Sequence, residues 1–185
     1  MVDVPETVVL ERDDIARALK RIAHEIAERN APGGGEIAIV GIHRRGDHLA
    51  RRLQPVLAEL LDCDVPLGSL DISFYRDDLG LRPSAPFLAG SQLDFALNGA
   101  TVVIVDDVLY TGRTVRAAIE ALLEYGRPAK VQLAVLVDRG HRELPFRPDY
   151  VGKNLPTART ERVNVRVGEL DGVDEVTISQ PRVLA

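Results

Sequence analysis

The chain has 185 residues, 45% of them hydrophobic, which is enough for one domain with a sizeable buried core. Its formal net charge of −5 excludes a general attraction to nucleic acid, so any RNA site must be a local basic patch. The single cysteine, Cys63, excludes an intrachain disulfide and a cysteine cluster for zinc. No apolar run approaches membrane-spanning length and no apolar signal region opens the chain, so we expect a cytoplasmic protein without a membrane partner.

The first half of the chain alternates between strand and helix patterns. Residues 7–10 are β-prone, and a helix with an apolar stripe is predicted from an N-cap at Asp13 or Asp14 to about Arg29. Lys20, Arg21 and His24 lie together on the opposite face of that helix, where a solvated helix face is the simplest interpretation. Residues 36–42 predict a second, buried strand.

An arginine-rich turn follows this second strand. Residues 43–46 are His-Arg-Arg-Gly, and Asp47 is predicted to cap a helix whose apolar positions are Leu49, Leu53, Leu57 and Leu60. Two arginines where a strand gives way to a helix N-terminus indicate an anion site. A charged surface turn has the same sequence features, and the residues alone leave both interpretations open.

A candidate lid separates the third strand from the centre of the chain. The strand is predicted over residues 65–75 and is followed by Arg76, Asp77 and Asp78. Residues 79–91 are rich in Gly, Pro and Ser and show no periodicity, which is typical of a mobile lid or of a surface loop without catalytic contacts. Residues 87–98 are expected to return as a short strand or hairpin.

The most informative stretch is residues 101–114, Thr-Val-Val-Ile-Val-Asp-Asp-Val-Leu-Tyr-Thr-Gly-Arg-Thr. Its β-branched apolar run, Val102–Val105, predicts a central strand that is covered on both faces and stops at Asp106 and Asp107. A small-residue loop follows, and the pattern over residues 114–125 predicts a helix. The stretch is therefore a strand, an acidic pair, a loop and a helix start, in that order.

This order of parts indicates a sugar-phosphate site. A loop at the carboxyl end of a parallel strand that leads into a helix presents unpaired N–H groups. Thr111 and Thr114 add hydroxyl donors, and Gly112 allows the backbone to approach a ligand closely. Such a loop suits a phosphate. Asp106 and Asp107 need donors or a cation, which vicinal sugar hydroxyls or a metal-chelated sugar supply. A phosphate and a diol at fixed separation describe a ribose 5-phosphate, and an ordinary strand–turn–helix with acids at an N-cap is the alternative.

The last third of the chain predicts four more strands. Residues 130–137 are a buried strand, and its end places Asp138 and Arg139 at the face that all strand ends share. Residues 151–157 predict an edge strand and turn, the alternating residues 162–167 another strand, and residues 176–178 a terminal strand.

Residues 101–114 resemble the phosphoribosyl pyrophosphate (PRPP) motif of the type I phosphoribosyltransferases, which has four apolar residues, two acids and a small-residue loop ending in Thr. The variant at 106–114, with Val-Asp-Arg-Gly-His-Arg-Glu-Leu-Pro at 137–145 and Val-Gly-Lys-Asn-Leu-Pro-Thr at 151–157, resembles the pyrimidine operon attenuation regulators (the PyrR family). The resemblance covers nearly the whole chain. His43, Arg44 and the shortened lid depart from the family pattern.

The resemblance implies the type I phosphoribosyltransferase fold. This is an α/β fold with an open, mostly parallel sheet flanked by helices, a small hood region and a mobile lid loop, here at residues 79–91 of a single domain over residues 1–185. Members of the family are also uracil phosphoribosyltransferases, so the resemblance implies conversion of uracil and PRPP to UMP and pyrophosphate. Mg²⁺ would be bound with PRPP rather than in a dedicated protein cage.

The same resemblance implies the residues of the active site. Asp106, Asp107, Arg45 and Arg76 are expected to be catalytic, the two acids on the ribose hydroxyls and the two arginines on pyrophosphate. Many family members hold a non-proline cis peptide in the loop of Arg45. The expected PRPP and UMP contacts are Arg45, Gly46, Asp106, Asp107, Val108, Leu109, Tyr110, Thr111, Gly112, Arg113, Thr114, Asp138 and Arg139, the last two near the nucleobase.

The resemblance also implies a regulatory activity, the UMP-dependent binding of pyrimidine operon leader mRNA, with UTP as a further candidate nucleotide. The RNA contacts expected from basic and family-like positions are Lys20, Arg21, His24, His141, Arg142, Arg147, Lys153 and Thr157. A homodimer or homotetramer is expected. The residues leave open a salvage phosphoribosyltransferase without RNA binding, a regulator with weak catalysis, and a purine substrate, because the PRPP motif does not read the base.

Overall fold

A computed structural model describes residues 6–30, 35–73 and 90–180 of the chain. None of the helices in these ranges is long and apolar enough to span a membrane. The elements in chain order are β1 (Glu6–Glu11), α1 (Arg12–Arg29), β2 (Ile37–Ile42), α2 (Arg45–Leu61), β3 (Leu67–Leu70), β4 (Thr101–Leu109), α3 (Arg113–Tyr125), β5 (Lys130–Asp138), β6 (Tyr150–Asn154), β7 (Arg162–Arg166), α4 (Gly168–Asp171) and β8 (Glu175–Ser179).

A parallel sheet of five strands forms the centre of the protein, in the order β3-β2-β4-β5-β6. Alternate side chains of the central strand β4 enter two different cores, because successive residues of a strand point to opposite faces. Val103 and Val105 pack with the buried faces of α1 and α2, whereas Val102 and Ile104 pack with α3. Helices thus cover both faces, as a continuous apolar strand requires.

A second sheet of three antiparallel strands, β1-β8-β7, lies beside this centre. Its apolar residues Leu10, Val165 and Val176 belong to the same core as α1 and α2. Arg166 crosslinks the sheet by ion pairs with Glu6 and Glu175. This sheet and the short α4 form the small hood region, in agreement with the predicted fold class.

Two predicted helix starts and one predicted apolar position in the first half are wrong. Helix α1 begins at Arg12 with Glu11 as its N-cap, and Asp14 accepts from the Glu11 N–H at 2.9 Å in a capping box instead of capping the helix itself. Helix α2 begins at Arg45, so Asp47 lies within its first turn. Leu60 is 39% exposed and lies off the buried stripe.

Three strand predictions around the centre also need correction. Strand β4 does not stop at the acids but runs through Asp106 and Asp107 to Leu109, because it keeps pairing with β5 up to Asp138. Strand β3 ends at Leu70, and between 90 and 98 the expected return strand is reduced to one bridge between Ser69 and Gln92. Residues 74–89, with most of the candidate lid and Arg76, lie outside the described residues.

Candidate active site

A polar cavity of about 470 Å³ opens where the carboxyl ends of β2, β3 and β4 meet the first turn of α3. Ligands of open parallel sheets bind at this edge, because the loops that follow the strands converge there. The cavity is lined by Ile42, His43, Arg44, Arg45, Asp71, Ile72, Ser73, Asp106, Asp107, Val108 and Thr114. The structure therefore brings together the acidic pair, the arginine turn and the threonine of α3 that the sequence singles out.

The acidic pair forms the floor of the cavity. Asp106 is 6% exposed and its Oδ1 accepts from the Asp107 N–H at 2.9 Å, while Asp107 Oδ1 accepts from the Val108 N–H at 2.8 Å. Burial raises the pKa of Asp106 well above its usual value, and the neighbouring Asp107 charge raises it further. Burial also raises the pKa of Asp107, against an opposing effect of the Arg45 charge. Hydroxyl donors or a cation would relieve this cost.

The loop that follows β4 is shaped to hold an anion. Gly112 has φ 93° and is the N-cap of α3, so the first N–H groups of the helix face the loop without helical acceptors. A Cβ at Gly112 would lie 3.0 Å from the Phe146 ring, so glycine meets both a conformational and a steric need. Thr111 Oγ1 accepts from the Arg113 N–H at 3.3 Å, and Thr114 lines the cavity.

The arginine turn between β2 and α2 lies against the end of β4. A Cβ at Gly46 would come within 2.4 Å of the Val105 carbonyl oxygen, so only glycine allows this approach. The His43–Arg44 peptide bond is cis. Arg45 lines the cavity, and its Nε and Nη2 donate to the two carboxylate oxygens of Asp171 at 3.2 and 2.9 Å.

A second hollow of about 440 Å³ lies beyond the carboxyl ends of β5 and β6. It is lined by Asp138, Arg139, Gly140, His141, Asn154, Leu155, Pro156 and Thr157. Arg139 is 7% exposed, and its Nη2 donates to the carbonyls of Ala158 and Glu161 while its guanidinium lies 4.2 Å from the centre of the Tyr110 ring. Its buried Nε has no hydrogen-bond partner among the described residues.

The loop that follows β5 is bound tightly to the loop that follows β4. Arg139 N donates to the Leu109 carbonyl at 3.1 Å, and Glu143 N and Leu144 N both donate to the Thr111 carbonyl at 2.9 Å. Arg113 and Glu143 add an ion pair at 2.8 Å. The loop that follows β4, residues 109–114, is called the anion loop. This loop and residues 139–144 therefore form one hydrogen-bonded unit.

Arg142 is the main side chain in this unit. It donates to the Tyr110 and Phe146 carbonyls at 2.9 and 3.0 Å, and to Asp138 Oδ2 at 2.6 Å. Its side chain is only 22% exposed. The structure thus gives Arg142 an internal role in this unit, and its contact with RNA stays a prediction.

The other basic candidates lie in three places. Lys20, Arg21 and His24 are exposed on α1, and Arg21 donates to the Val151 and Gly152 carbonyls of β6, next to the exposed Lys153. His141 Nε2 lies 2.5 Å from the Thr157 carbonyl oxygen, and both residues line the second hollow. Arg147 is exposed in the loop before β6. The structure joins the α1 and β6 residues into one surface.

Three residues in or next to the cavity were not predicted as site residues from the sequence. Asp71 and Ser73 line the cavity, and Asp71 Oδ1 accepts from the Ser73 N–H at 2.9 Å. They were hidden within a strand predicted too long, and polar residues after a strand end are the signal that finds them. No sequence signal links Asp171 to Arg45, 126 residues away.

Comparison with known proteins gives one consistent result. The family model of the phosphoribosyl transferase domain matches residues 9–170. The Bifunctional protein PyrR of Roseiflexus sp. (strain RS-1) is 59% identical over 174 residues, 94% of this chain and 94% of that protein. The Bifunctional protein PyrR of Deinococcus radiodurans is 56% identical over 180 residues, 97% of this chain and 98% of that protein.

Solved structures with the same fold are more distant in sequence. The hypoxanthine phosphoribosyltransferase of Trypanosoma cruzi has a TM-score of 0.71 at 19% identity and covers 95% of this chain and 97% of its own. That of Staphylococcus aureus has a TM-score of 0.69 at 21% identity and covers 98% of this chain and 94% of its own. These structures and the family model confirm the predicted fold class, and the family model with the PyrR relatives confirms the enzyme class and the bifunctional type. The chain belongs to the phosphoribosyltransferase family and, within it, to the bifunctional PyrR proteins.

Proposed function

We propose that the protein transfers the ribosyl 5-phosphate of PRPP to uracil N1 and releases UMP and pyrophosphate. The bond from C1 of the ribose to pyrophosphate breaks, a C1–N1 bond forms, and the N1 proton is lost. The observation that carries the proposal is the adjacent acids Asp106, which is buried, and Asp107, which is half-buried, placed in one cavity between an anion loop and an arginine turn. This is the arrangement that a ribose with a phosphate at each end requires.

The residues of β4 and its loop bind the sugar phosphate. The N–H groups at the start of α3 and the Thr111 and Thr114 hydroxyls donate to the 5-phosphate. Asp106 and Asp107 accept from the ribose hydroxyls, which compensates the burial that raises their pKa. Their charge also stabilises the cationic character that develops at C1 in the transition state.

The donor set of the cavity fits a hard cation carried by the substrate. The two adjacent carboxylates offer only oxygen, which Mg²⁺ prefers, and no group of three or more His, Cys, Asp or Glu side chains in the described ranges forms a cage for a metal. Bound with PRPP, Mg²⁺ would neutralise charge on the leaving pyrophosphate. Arg45 adds a fixed cation beside it, and the part of Arg76 in pyrophosphate binding stays a prediction.

The second hollow is the proposed site of the nucleobase. Asp138 is the register partner of Leu109 in the β4–β5 pairing, so the hollow lies beside the sugar-phosphate loop. The unpartnered Nε of Arg139 supports an acceptor such as a uracil carbonyl there. The raised pKa of Asp107 makes it a stronger base than an ordinary aspartate, which supports Asp107 as one candidate acceptor of the N1 proton, with solvent as the alternative.

The test is a steady-state assay with PRPP, Mg²⁺ and a panel of uracil, hypoxanthine, guanine and adenine. We expect turnover with uracil and none above background with the purines. Turnover with hypoxanthine but not with uracil would overturn the base assignment and leave phosphoribosyl transfer intact.

We further propose that UMP promotes binding of pyrimidine operon leader mRNA by a homodimer or homotetramer. The observation that favours this second function is the hydrogen-bonded unit of the anion loop and residues 139–144, because a nucleotide in the loop contacts the same unit that holds His141 and Arg142. Lys20, His24 and Lys153 supply exposed basic groups for RNA phosphates nearby on α1 and β6.

A filter-binding assay with the leader RNA tests the regulatory proposal. We expect UMP to increase the affinity, with UTP as a second nucleotide to compare. Equal RNA binding with and without UMP would contradict it, and the absence of RNA binding together with normal turnover would identify a salvage enzyme. An unrelated stem-loop of equal length and charge serves as the control for nonspecific attraction.

A further inference from the structure

The contact between Arg45 and Asp171 joins the arginine turn to the hood. Arg45 Nε and Nη2 donate to Asp171 Oδ2 and Oδ1 at 3.2 and 2.9 Å, a fork-to-fork arrangement that fixes the guanidinium plane. The two side chains are 35% and 21% exposed, so the pair lies partly out of solvent. An arginine that lines the active-site cavity is thus bound by an acid from a distant element.

Asp171 is itself held in place. Its Oδ2 accepts from the Val167 N–H at 2.9 Å, and its backbone N–H donates to the Val167 carbonyl at 2.8 Å. The Arg45 guanidinium lowers the pKa of Asp171, so the carboxylate is charged at neutral pH. A charged acceptor on a fixed turn can hold an arginine in one rotamer.

The adjacent ion pairs show that α2 is docked on this turn independently of Arg45. Arg52, two helical turns further along α2, donates to Glu169 and to Asp174 at 2.9 and 2.7 Å. These contacts anchor the hood to the helix away from the cavity. Of the Arg45 and Arg52 anchors, the Arg45–Asp171 contact is therefore the one that reaches the cavity lining.

The free edge of the Arg45 guanidinium is left for a ligand. An arginine has five N–H donors, and Asp171 occupies Nε and one position on Nη2. Among residues 6–30, 35–73 and 90–180, no group accepts a hydrogen bond from Arg45 Nη1. Arg45 lines the cavity in this same geometry, and its charge also acts on Asp107.

We propose that Asp171 is a positioning residue for phosphoribosyl transfer: it holds the Arg45 guanidinium at the cavity so that the remaining N–H donors meet the pyrophosphate group of PRPP. The inference rests on the proposed function and adds to it a residue from the hood. Because Asp171 fixes the arginine before the substrate arrives, the ordering of a flexible side chain no longer opposes pyrophosphate binding.

The variant Asp171→Asn tests the proposal with little change in shape. The amide keeps one acceptor for Arg45 but removes the charge and the second acceptor. We expect KM for PRPP and the inhibition constant of pyrophosphate to rise about 10-fold, while KM for uracil stays within about twofold, a change that general loosening of the hood does not produce. The matched control is Glu169→Gln, on the same short helix but paired with Arg52, which leaves both constants unchanged.

A cycle with Arg45→Lys shows whether Asp171 acts through Arg45. In the Arg45→Lys background we expect Asp171→Asn to change KM for PRPP less than about twofold, because the fork has already been lost. An equal loss from Asp171→Asn in both backgrounds would overturn the proposal, as would wild-type constants in Asp171→Asn alone.

Calorimetric titration with magnesium pyrophosphate separates this proposal from the proposed function. Weaker pyrophosphate binding in Asp171→Asn than in the wild type supports the positioning role even when no base in the panel is turned over, a result that would overturn the transferase assignment alone. Normal turnover by the wild type with equal pyrophosphate binding in the two proteins would overturn the positioning role alone.

Discussion

The cavity at the strand ends and the basic surface of α1 and β6 differ in how far charge alone predicts them. In the cavity, Asp106, Asp107 and Arg45 come from two strand ends and meet as expected. On the surface and in its neighbouring loop, by contrast, Arg21 and Arg142 donate to backbone carbonyls. Parallel strands must bring their ends to one edge, whereas a surface arginine bonds whichever carbonyl lies within reach. Topology therefore makes the residues of the cavity predictable, whereas local packing determines which groups the surface arginines bind.

The largest expected effect is on the cavity. The double variant Asp106→Asn/Asp107→Asn should lower kcat/KM for PRPP by about 10²–10⁴-fold, because the amides lose the charge that stabilises the transition state. The measurement is steady-state UMP formation, with circular dichroism as the control for folding. Near-normal turnover by a folded double variant would contradict the proposed role of the pair.

The second prediction concerns the internal role of Arg142. Arg142→Ala removes the donors of the Tyr110 and Phe146 carbonyls and of Asp138, which should lower the free energy of unfolding by about 2–4 kcal/mol. Turnover and RNA binding should fall together, because both depend on the loop unit. Thermal unfolding and the two assays measure this.

Arg147→Ala is the matched variant for Arg142, since Arg147 is exposed in the same loop. It should weaken RNA binding alone and leave the melting temperature and turnover as in the wild type. If Arg142→Ala behaved in the same way, with full stability and full turnover, Arg142 would be a free RNA contact as the sequence suggests.

The fold was predictable wherever a pattern is local. The apolar run Val102–Val105 and the helix after it follow from residue type and periodicity, and the structure places both where expected. The predicted end of β4, at Val105, lies four residues before the observed end at Leu109. Acids are poor strand formers, and only the pairing with β5 keeps Asp106 and Asp107 extended.

Contacts between distant parts of the chain were not predictable. The Arg45–Asp171 fork joins residues 126 apart, and nothing in the sequence near either residue indicates the other. The buried state of Arg139 was equally hidden, since arginine is rarely buried and its acceptors are backbone carbonyls that any residue supplies. The nature of the site follows from its motif, but the partners of its side chains require the structure.

The third prediction uses the raised pKa of Asp106. Because burial raises this pKa in the folded state above its unfolded value, the wild type loses stability as pH rises through the folded pKa. Asp106→Asn has no proton to lose, so it should raise the melting temperature by about 2–4 °C at pH 8 for each ~1 kcal/mol regained, and by less at pH 5. Thermal unfolding at both pH values measures the difference.

The control for this prediction is Asp94→Asn, which neutralises an exposed aspartate outside the cavity. It should leave the melting temperature within about 1 °C of the wild type at both pH values. A lower melting temperature for Asp106→Asn at pH 8 would mean that the charged form of Asp106 is stabilised in the free protein, against the burial argument.

The smallest expected effect belongs to the basic surface. Lys153 is exposed at the carboxyl end of β6, so Lys153→Ala should lose one phosphate contact, weaken RNA binding a few-fold, and reduce the slope of log affinity against log salt by about 1. Lys130 is exposed at the opposite, amino-terminal end of β5 and provides the control, because its replacement removes the same charge far from the predicted surface. Equal salt slopes for the two variants would mean that RNA binding depends only on the net charge of the protein. The surface of α1 and β6 would then not be a specific RNA site, and of the two regions only the cavity would be a defined binding site.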